Sequence, residues 1–409
     1  MLHATRQQSS DGLVGRGVHP LAGLTILQII PELNAGGAEA ATIDIAAALA
    51  EVGAGALVAS KGGRMVSELQ AKGGIWLPFP ASSKNPLEMV LNQRRLMRLI
   101  EQENVALVHA RSRAPAWVAY GATRRRKIPF VTTYHGAYSG DNALKLHYNS
   151  IMAKGDVVIA NSVYTARRVA ELYPFAAGNV RLIQRGIDLR VFNPHEVDSA
   201  RVKYLREIWG VASEERIVLL AARLTAWKGH KTLIEAARLL GKAGLSGTKF
   251  ILAGDDQGRS AYVRDIDAAI GEAGLNGTVR RVGHCGDMPA ALLAATVAVV
   301  PSTQPEAFGH VAVEAQAMGT PVVVSDLCGL SEVVLSPPEV DPAFRTGWRV
   351  PSGDGRALAK AIFEALTLGA AGRDAFLLRA RAHVLNRFSV ERMRAETLAA
   401  YAALARRQG

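Results

Sequence analysis

The sequence predicts an α/β protein of two successive domains, each a parallel sheet covered by helices. Three observations carry this. Short apolar runs alternate with longer helical segments, the pattern of repeated βα units. The alternation runs from residue 24 to about 183 and starts again near 217. A chain of 409 residues is also longer than one ordinary core serves.

In the first half, residues 24–30 (LTILQII) form a continuous apolar run, suited to a strand covered on both faces. Further strands are expected at 56–60, 75–79, 105–109, 130–134, 157–160 and 180–183. An Ala-rich helix ends near Glu51, and others are expected at 65–72 and 86–104. The last is basic and amphipathic, with Leu87, Val90, Leu91, Leu96, Leu99 and Ile100 among its apolar positions. Asn161-Ser162 suits the start of a further helix, since both side chains can accept from free helical N–H groups. Parallel neighbours imply right-handed crossovers.

The second half repeats the pattern. Strands are expected at 217–222, 249–253, 279–282, 296–300, 322–325 and 348–351, with helices at 231–243, 261–274 and 309–318. The resulting division is residues 1–22 as a flexible tail or late start, 23–195 as the first domain and 196–387 as the second. A final helical pattern, about 388–409, follows.

Composition excludes several classes. The two cysteines, Cys285 and Cys328, build neither a disulfide framework nor a metal motif, so a reducing compartment is expected. No apolar run reaches membrane-spanning length, and the N-terminus lacks the apolar core of a secretory signal. A cytoplasmic protein is expected, at most peripheral on the inner face of the cytoplasmic membrane. The net charge of +12 is uneven: residues 61–127 hold 13 Lys and Arg against 4 Asp and Glu. That surface is either a solvated face or a seat for an anionic membrane or substrate. Nucleic acid is not expected, because few aromatics interleave with the cations.

The chemistry-bearing residues cluster where strands end and helices begin, the place where open parallel sheets bind ligands. The stretch Pro301 to Val334 is the most specific. Glu306 lies in its loop, and Glu314 lies about two turns into the following helix. By themselves these are either two solvated acids or two acceptors for one hydroxyl-rich ligand. Arg223 and Lys228 share one strand-to-helix loop, where two cations and a helix N-terminus suit a diphosphate. Gly36-Gly37 follows the first strand and permits either a tight turn or close approach of a ligand. It is not the GxGxxG dinucleotide fingerprint. Two other loops could hold chemistry: His109 to Arg113, and Thr132 to Gly136 with His135. Asp265-Ile266-Asp267 imitates an Asp-x-Asp metal motif but lies inside a helical pattern, so it reads as a solvated face.

The pattern Pro-Glu-x-Phe-Gly-x-x-x-x-Glu-Ala-x-Ala-x-Gly-x-Pro-Val, from Pro305 to Val322, resembles the donor-binding signature of the retaining glycosyltransferases of family 4. Arg223-Leu-x-x-x-Lys228-Gly229 and Arg185-Gly186-Ile187-Asp188 match further family segments, although Arg185 stands where the family has Asn. The resemblance covers residues 24–405 and is strongest over 217–334. It implies the GT-B fold: two Rossmann-like domains facing across a cleft, with the last helix crossing back to the first domain. It implies transfer of a hexose-type sugar from a nucleotide-diphosphate donor, without metal or other cofactor. Glu314 would hold the ribose, while Glu306 and the backbone of Phe308, Gly309 and His310 would address the sugar. Arg223 and Lys228 would hold the diphosphate, facing Gly36 and Gly37. Gly283 and His284 would contact the base, and His135 would lie near the sugar and acceptor. A cell-envelope acceptor such as lipopolysaccharide core, or another glycolipid, is expected. The alternatives are a nucleotide-sugar epimerase and a non-catalytic sugar-nucleotide or polysaccharide binder.

Overall fold

The computed structural model describes residues 18–34, 36–136 and 142–406. Two parallel sheets dominate it. The first has strands β1 (Thr25–Ile29), β2 (Gly55–Ser60), β3 (Ile75–Pro78), β4 (Val105–Ala110), β5 (Phe130–Tyr134), β6 (Val157–Ala160) and β7 (Val180–Leu182). Their order is β3-β2-β1-β4-β5-β6-β7. The second has β8 (Arg216–Ala221), β9 (Thr248–Ala253), β10 (Val279–Gly283), β11 (Val297–Val300), β12 (Val322–Ser325) and β13 (Trp348–Val350), in the order β10-β9-β8-β11-β12-β13. Every strand expected from the sequence forms, with ends within one or two residues.

Both faces of each sheet are buried, which is why the strands read as unbroken apolar runs rather than alternating ones. Ile26 and Val58 pack on one face of the first sheet, Leu27 and Val108 on the other. Leu219 and Val324 do the same on one side of the second sheet, Val218 and Val323 on the other.

Each sheet reverses its strand order at one point: between β1 and β4 in the first, and between β8 and β11 in the second. Loops leaving two adjacent strands toward opposite faces open a crevice there. The loops with Gly36-Gly37, and those with Lys228 and Glu306, all leave these strands.

The chain crosses between domains twice, and the crossings are tied together. The Ile187 N–H donates to the Phe388 carbonyl at 2.9 Å, and the Val390 N–H donates to the Ile187 carbonyl at 3.0 Å. Phe388 and Val384 belong to the second core, whereas Val390, Met393 and Tyr401 of the last helix, Val390–Ala405, belong to the first. The helix therefore crosses back, beginning after Ser389, which caps it.

Of the tail read over residues 1–22, residues 1–17 lie outside the described residues, as do 407–409 of the last helical pattern. Leu21 is fully buried against the first sheet, so the ordered domain starts before residue 23. The structure also changes the reading of the basic helix, Pro86–Gln102. Leu96 and Ile100 are buried, but Leu87, Val90 and Leu91 are 77%, 53% and 50% exposed. Met89 and Asn92 turn its first two turns onto the domain, which leaves Leu87, Val90 and Leu91 on the outer face.

Candidate active site

The site is assembled at the two reversal points. In the second sheet, the loop after β8 carries Lys228 and the loop after β11 carries Glu306. They meet in an ion pair of 2.6 Å between Nζ and a carboxylate oxygen, both side chains largely buried. The Ser302 hydroxyl donates to the same carboxylate oxygen. Nζ also lies 4.3 Å from the centre of the Trp227 ring, a cation–π contact. Lys228 therefore has two partners that hold its charge in place. Gly229 follows with φ 76°, and a Cβ there would run into the Pro301 carbonyl. That close approach, open only to glycine, brings the two loops together. Arg223 lies on the same loop as Lys228 and is exposed.

Gly309, at φ 97°, ends the loop and starts the helix His310–Ala317. A Cβ on Gly309 would stand 2.6 Å from a Leu330 methyl. The Phe308 side chain is core, packed edge-on against Phe388, so only its backbone can face a ligand. Glu314 is one helical turn beyond His310. Its carboxylate has no polar partner among the described residues, and burial raises its pKa to about 7. The acid pair expected from the sequence thus divides: Glu306 is neutralised by a lysine, and Glu314 is buried without a charged partner among the described residues. Gly283 ends β10 with φ 74°, and His284 beyond it is exposed.

The first domain faces this with Gly37, Glu39, His135 and Arg185. Arg185, whose role the sequence leaves open, sits between two imidazoles. One Nη is 2.7 Å from His135 Nδ1, at the end of β5; the other is 2.9 Å from His310 Nε2, across the cleft. Gly37 makes room: a Cβ there would collide with the guanidinium. Both histidines are held neutral. Burial and then the Arg185 charge push His135 well below its ordinary pKa, and the same causes push His310 to about 3. Glu39 opens the helix Gly37–Glu51; burial raises its carboxyl, against the opposing pull of Arg185 and Arg223. Sequence reasoning passed over Glu39, although an acid two residues beyond a glycine pair at a helix start was a legible signal.

The other candidate loop is structural. His109 is buried, with Nδ1 2.5 Å from the Tyr401 hydroxyl and Nε2 2.7 Å from Thr133 Oγ1. Arg111 is buried on Gln28. These bonds tie the crossing helix to the first sheet. Ser162 caps the helix Val163–Leu172 as expected, its oxygen accepting from Thr165 N–H at 3.1 Å. Asp267 pairs with Arg281 on the outside of the second domain, the solvated-face reading of the Asp-x-Asp segment.

Two parallel-sheet domains facing across a cleft, with a last helix crossing back, define the GT-B glycosyltransferase class. Residues 35–191 match Glycosyltransferase Family 4, and residues 203–380 match Glycosyl transferases group 1. A solved glycosyltransferase from Rickettsia africae superposes with TM-score 0.84 and 31% identity, over 93% of this chain and 98% of that one. The chain belongs to glycosyltransferase family 4. The Anabaena protein HepE, solved in complex with UDP-glucose, is 25% identical with TM-score 0.76, over 92% of this chain and all of that one. Among curated relatives, a D-inositol 3-phosphate glycosyltransferase of Catenulispora acidiphila is 29% identical over 61% of this chain. The match spans 63% of that relative's length.

Proposed function

We propose that the protein is a retaining glycosyltransferase that moves a hexose-type sugar from a nucleoside diphosphate to an anionic acceptor of the cell envelope. The observation that carries this reading is the Lys228–Glu306 pair at the reversal point of the second sheet, faced across the cleft by Gly37, His135 and Arg185. HepE, the neighbour bound to UDP-glucose, supports a nucleotide-sugar donor. In this reading Glu314 accepts from the ribose hydroxyls, and Glu306 and the N–H groups opening the helix at His310 address the sugar. Gly283 and His284 meet the base.

The chemistry is the departure of a diphosphate. Negative charge grows on it as the glycosidic bond breaks. Lys228, held by Glu306 and Trp227, is fixed beforehand where that charge appears, so little reorganisation is needed there during the reaction, and the exposed Arg223 on the same loop adds a second cation. These cations supply the neutralising charge in place of a metal. The acceptor hydroxyl attacks from the side the diphosphate leaves, which preserves the anomeric configuration. Closure of the two domains excludes water.

For the acceptor, the exposed Leu87, Val90 and Leu91 beside the exposed Arg94, Arg95 and Arg98 favour a glycolipid at an anionic membrane surface on the cytoplasmic side. Lipopolysaccharide core is one such acceptor. The curated relatives favour a second reading, a small phosphorylated polyol.

Thermal-shift screening against uridine, guanosine and adenosine diphosphates and their sugars identifies the donor. A donor at 100 times its dissociation constant stabilises the fold by about 2.7 kcal/mol. Transfer is then assayed with glycolipid in vesicles and with inositol 3-phosphate. Conversion of donor without any acceptor would point to the epimerase instead, and donor binding without turnover to a non-catalytic binder.

A further inference from the structure

Arg185 stands where both domains and both crossings meet. Ile183 packs in the first core and Ile187 in the second. Between them, the guanidinium spans from His135 to His310 at 2.7 and 2.9 Å. A guanidinium only donates hydrogen bonds and stays charged. Each ring nitrogen facing it must therefore be an acceptor. That leaves the proton of His135 on Nε2 and the proton of His310 on Nδ1. One side chain thus fixes two tautomers, one in each domain.

We propose that Arg185 is a positioning residue of the transfer site. Its fork holds His135 and His310 as neutral rings of defined tautomer and links their placement to the closed arrangement of the domains. Three observations converge on this. The fork is bidentate and spans the cleft. Gly37 lacks the Cβ that would exclude it. His135 Nε2, buried, has no partner among the described residues, so its proton is an available donor. The charged groups around the rings are Arg111 and Arg185 for His135, and Arg185 and Lys228 for His310; Glu39 opposes Arg185 from the first helix. Asparagine at position 185 would be uncharged and shorter, with both N–H groups on one nitrogen, so it could not reach from His135 to His310 as the two Nη atoms do.

The inference deepens the proposed transfer reaction, and it is tested first without any substrate. Proton–nitrogen correlation spectra of the free protein report the tautomer of each histidine, with His135→Gln and His310→Gln identifying the resonances. We expect His135 protonated on Nε2 and His310 on Nδ1, both still neutral at pH values where an exposed imidazole is charged. Arg185→Asn should release both rings to mixed tautomers and raise the pH at which they charge. Arg185→Lys keeps the charge but has no fork, and should hold one ring at most. In the transfer assay Arg185→Asn should lower kcat roughly 10- to 100-fold with little change in donor KM, the signature of misplacement. Its acid limb should move to higher pH. Unfolding temperatures within a few degrees of wild type show that the variants fold. Mixed tautomers in the wild type, spectra unchanged in Arg185→Asn, or an unchanged kcat each overturns the proposal. Absence of transfer by the wild type sinks the reaction, while the spectra still decide the role of Arg185.

Discussion

Glu314 and Lys228 show how much one buried charge can control. The Glu314 carboxyl, raised to about 7 by burial, is partly protonated at neutral pH in the free protein. In the proposed donor site, ribose hydroxyls donating to it would favour the carboxylate, so donor binding should release a proton. Donor Kd should therefore fall as pH rises from about 6 to 8, and the Glu314→Gln variant should bind weakly and without this dependence. Isothermal titration in two buffers of different ionisation enthalpy measures the proton directly; a Kd flat across that range rejects the assignment. The same shift has a cost in stability. The folded pKa lies above the unfolded value of 4.5, so this group's contribution to stability is greatest below 4.5 and falls as pH rises toward 7. Glu314→Gln should unfold at a higher temperature than wild type at pH 7.5 and not at pH 4. Lys228→Met leaves Glu306 charged without its partner, losing both stability and turnover. Adding Glu306→Gln should restore the stability and leave turnover about 10²–10³ below wild type. Recovery of turnover in the double variant would remove Lys228 from the chemistry.

At the scale of elements, glycines decide where loops meet. Gly229 is left-handed and lies against the Pro301 carbonyl. Gly229→Ala should cost about 1–3 kcal/mol, read by chemical unfolding, and weaken donor binding by parting Lys228 from Glu306. The helix Arg113–Arg126 was hard to read from its sequence, because Pro115 and Gly121 interrupt it. Pro115 sits in the first turn, where a missing N–H is tolerated. At Gly121 a Cβ would meet the Gln93 amide of the helix Pro86–Gln102, so the two helices pack closely there. The amphipathic pattern of that helix was legible, but not which part of its apolar stripe the domain covers. Leu87→Glu together with Leu91→Glu should reduce sedimentation with anionic vesicles and spare turnover on a soluble acceptor. Equal sedimentation of variant and wild type at low salt counts against a membrane seat.

At the scale of the whole molecule, several contacts bridge the cleft among the described residues. Arg185 reaches His310, and Tyr164 bonds with Cys328. Glu332 of the second domain accepts with its carboxylate from the Val163 and Tyr164 N–H groups at 2.7 and 2.5 Å. It thereby fills the anion-favouring end of a helix in the first domain. Glu332→Ala should widen the free protein's distribution of radii in small-angle scattering, with donor restoring the compact form. A scattering curve identical to wild type would mean the contact does not hold the domains. No helix among the described residues is long and apolar enough to cross a membrane.

The sequence by itself determined the two-domain α/β plan, every strand to within a residue or two, and the family. Those depend on local patterns: apolar runs for strands buried on both faces, and loop motifs of fixed spacing. It also identified His135, Arg223, Lys228, Glu306 and Glu314 as residues worth placing in one site. Only the tertiary structure decided which of them touch. Lys228 and Glu306 lie on loops from β8 and β11, 78 residues apart, and pair because sheet order brings those strands together. Arg185 reaches His135 and His310 over 50 and 125 residues. Such pairings depend on strand order and domain closure, which leave no periodic mark in a single chain.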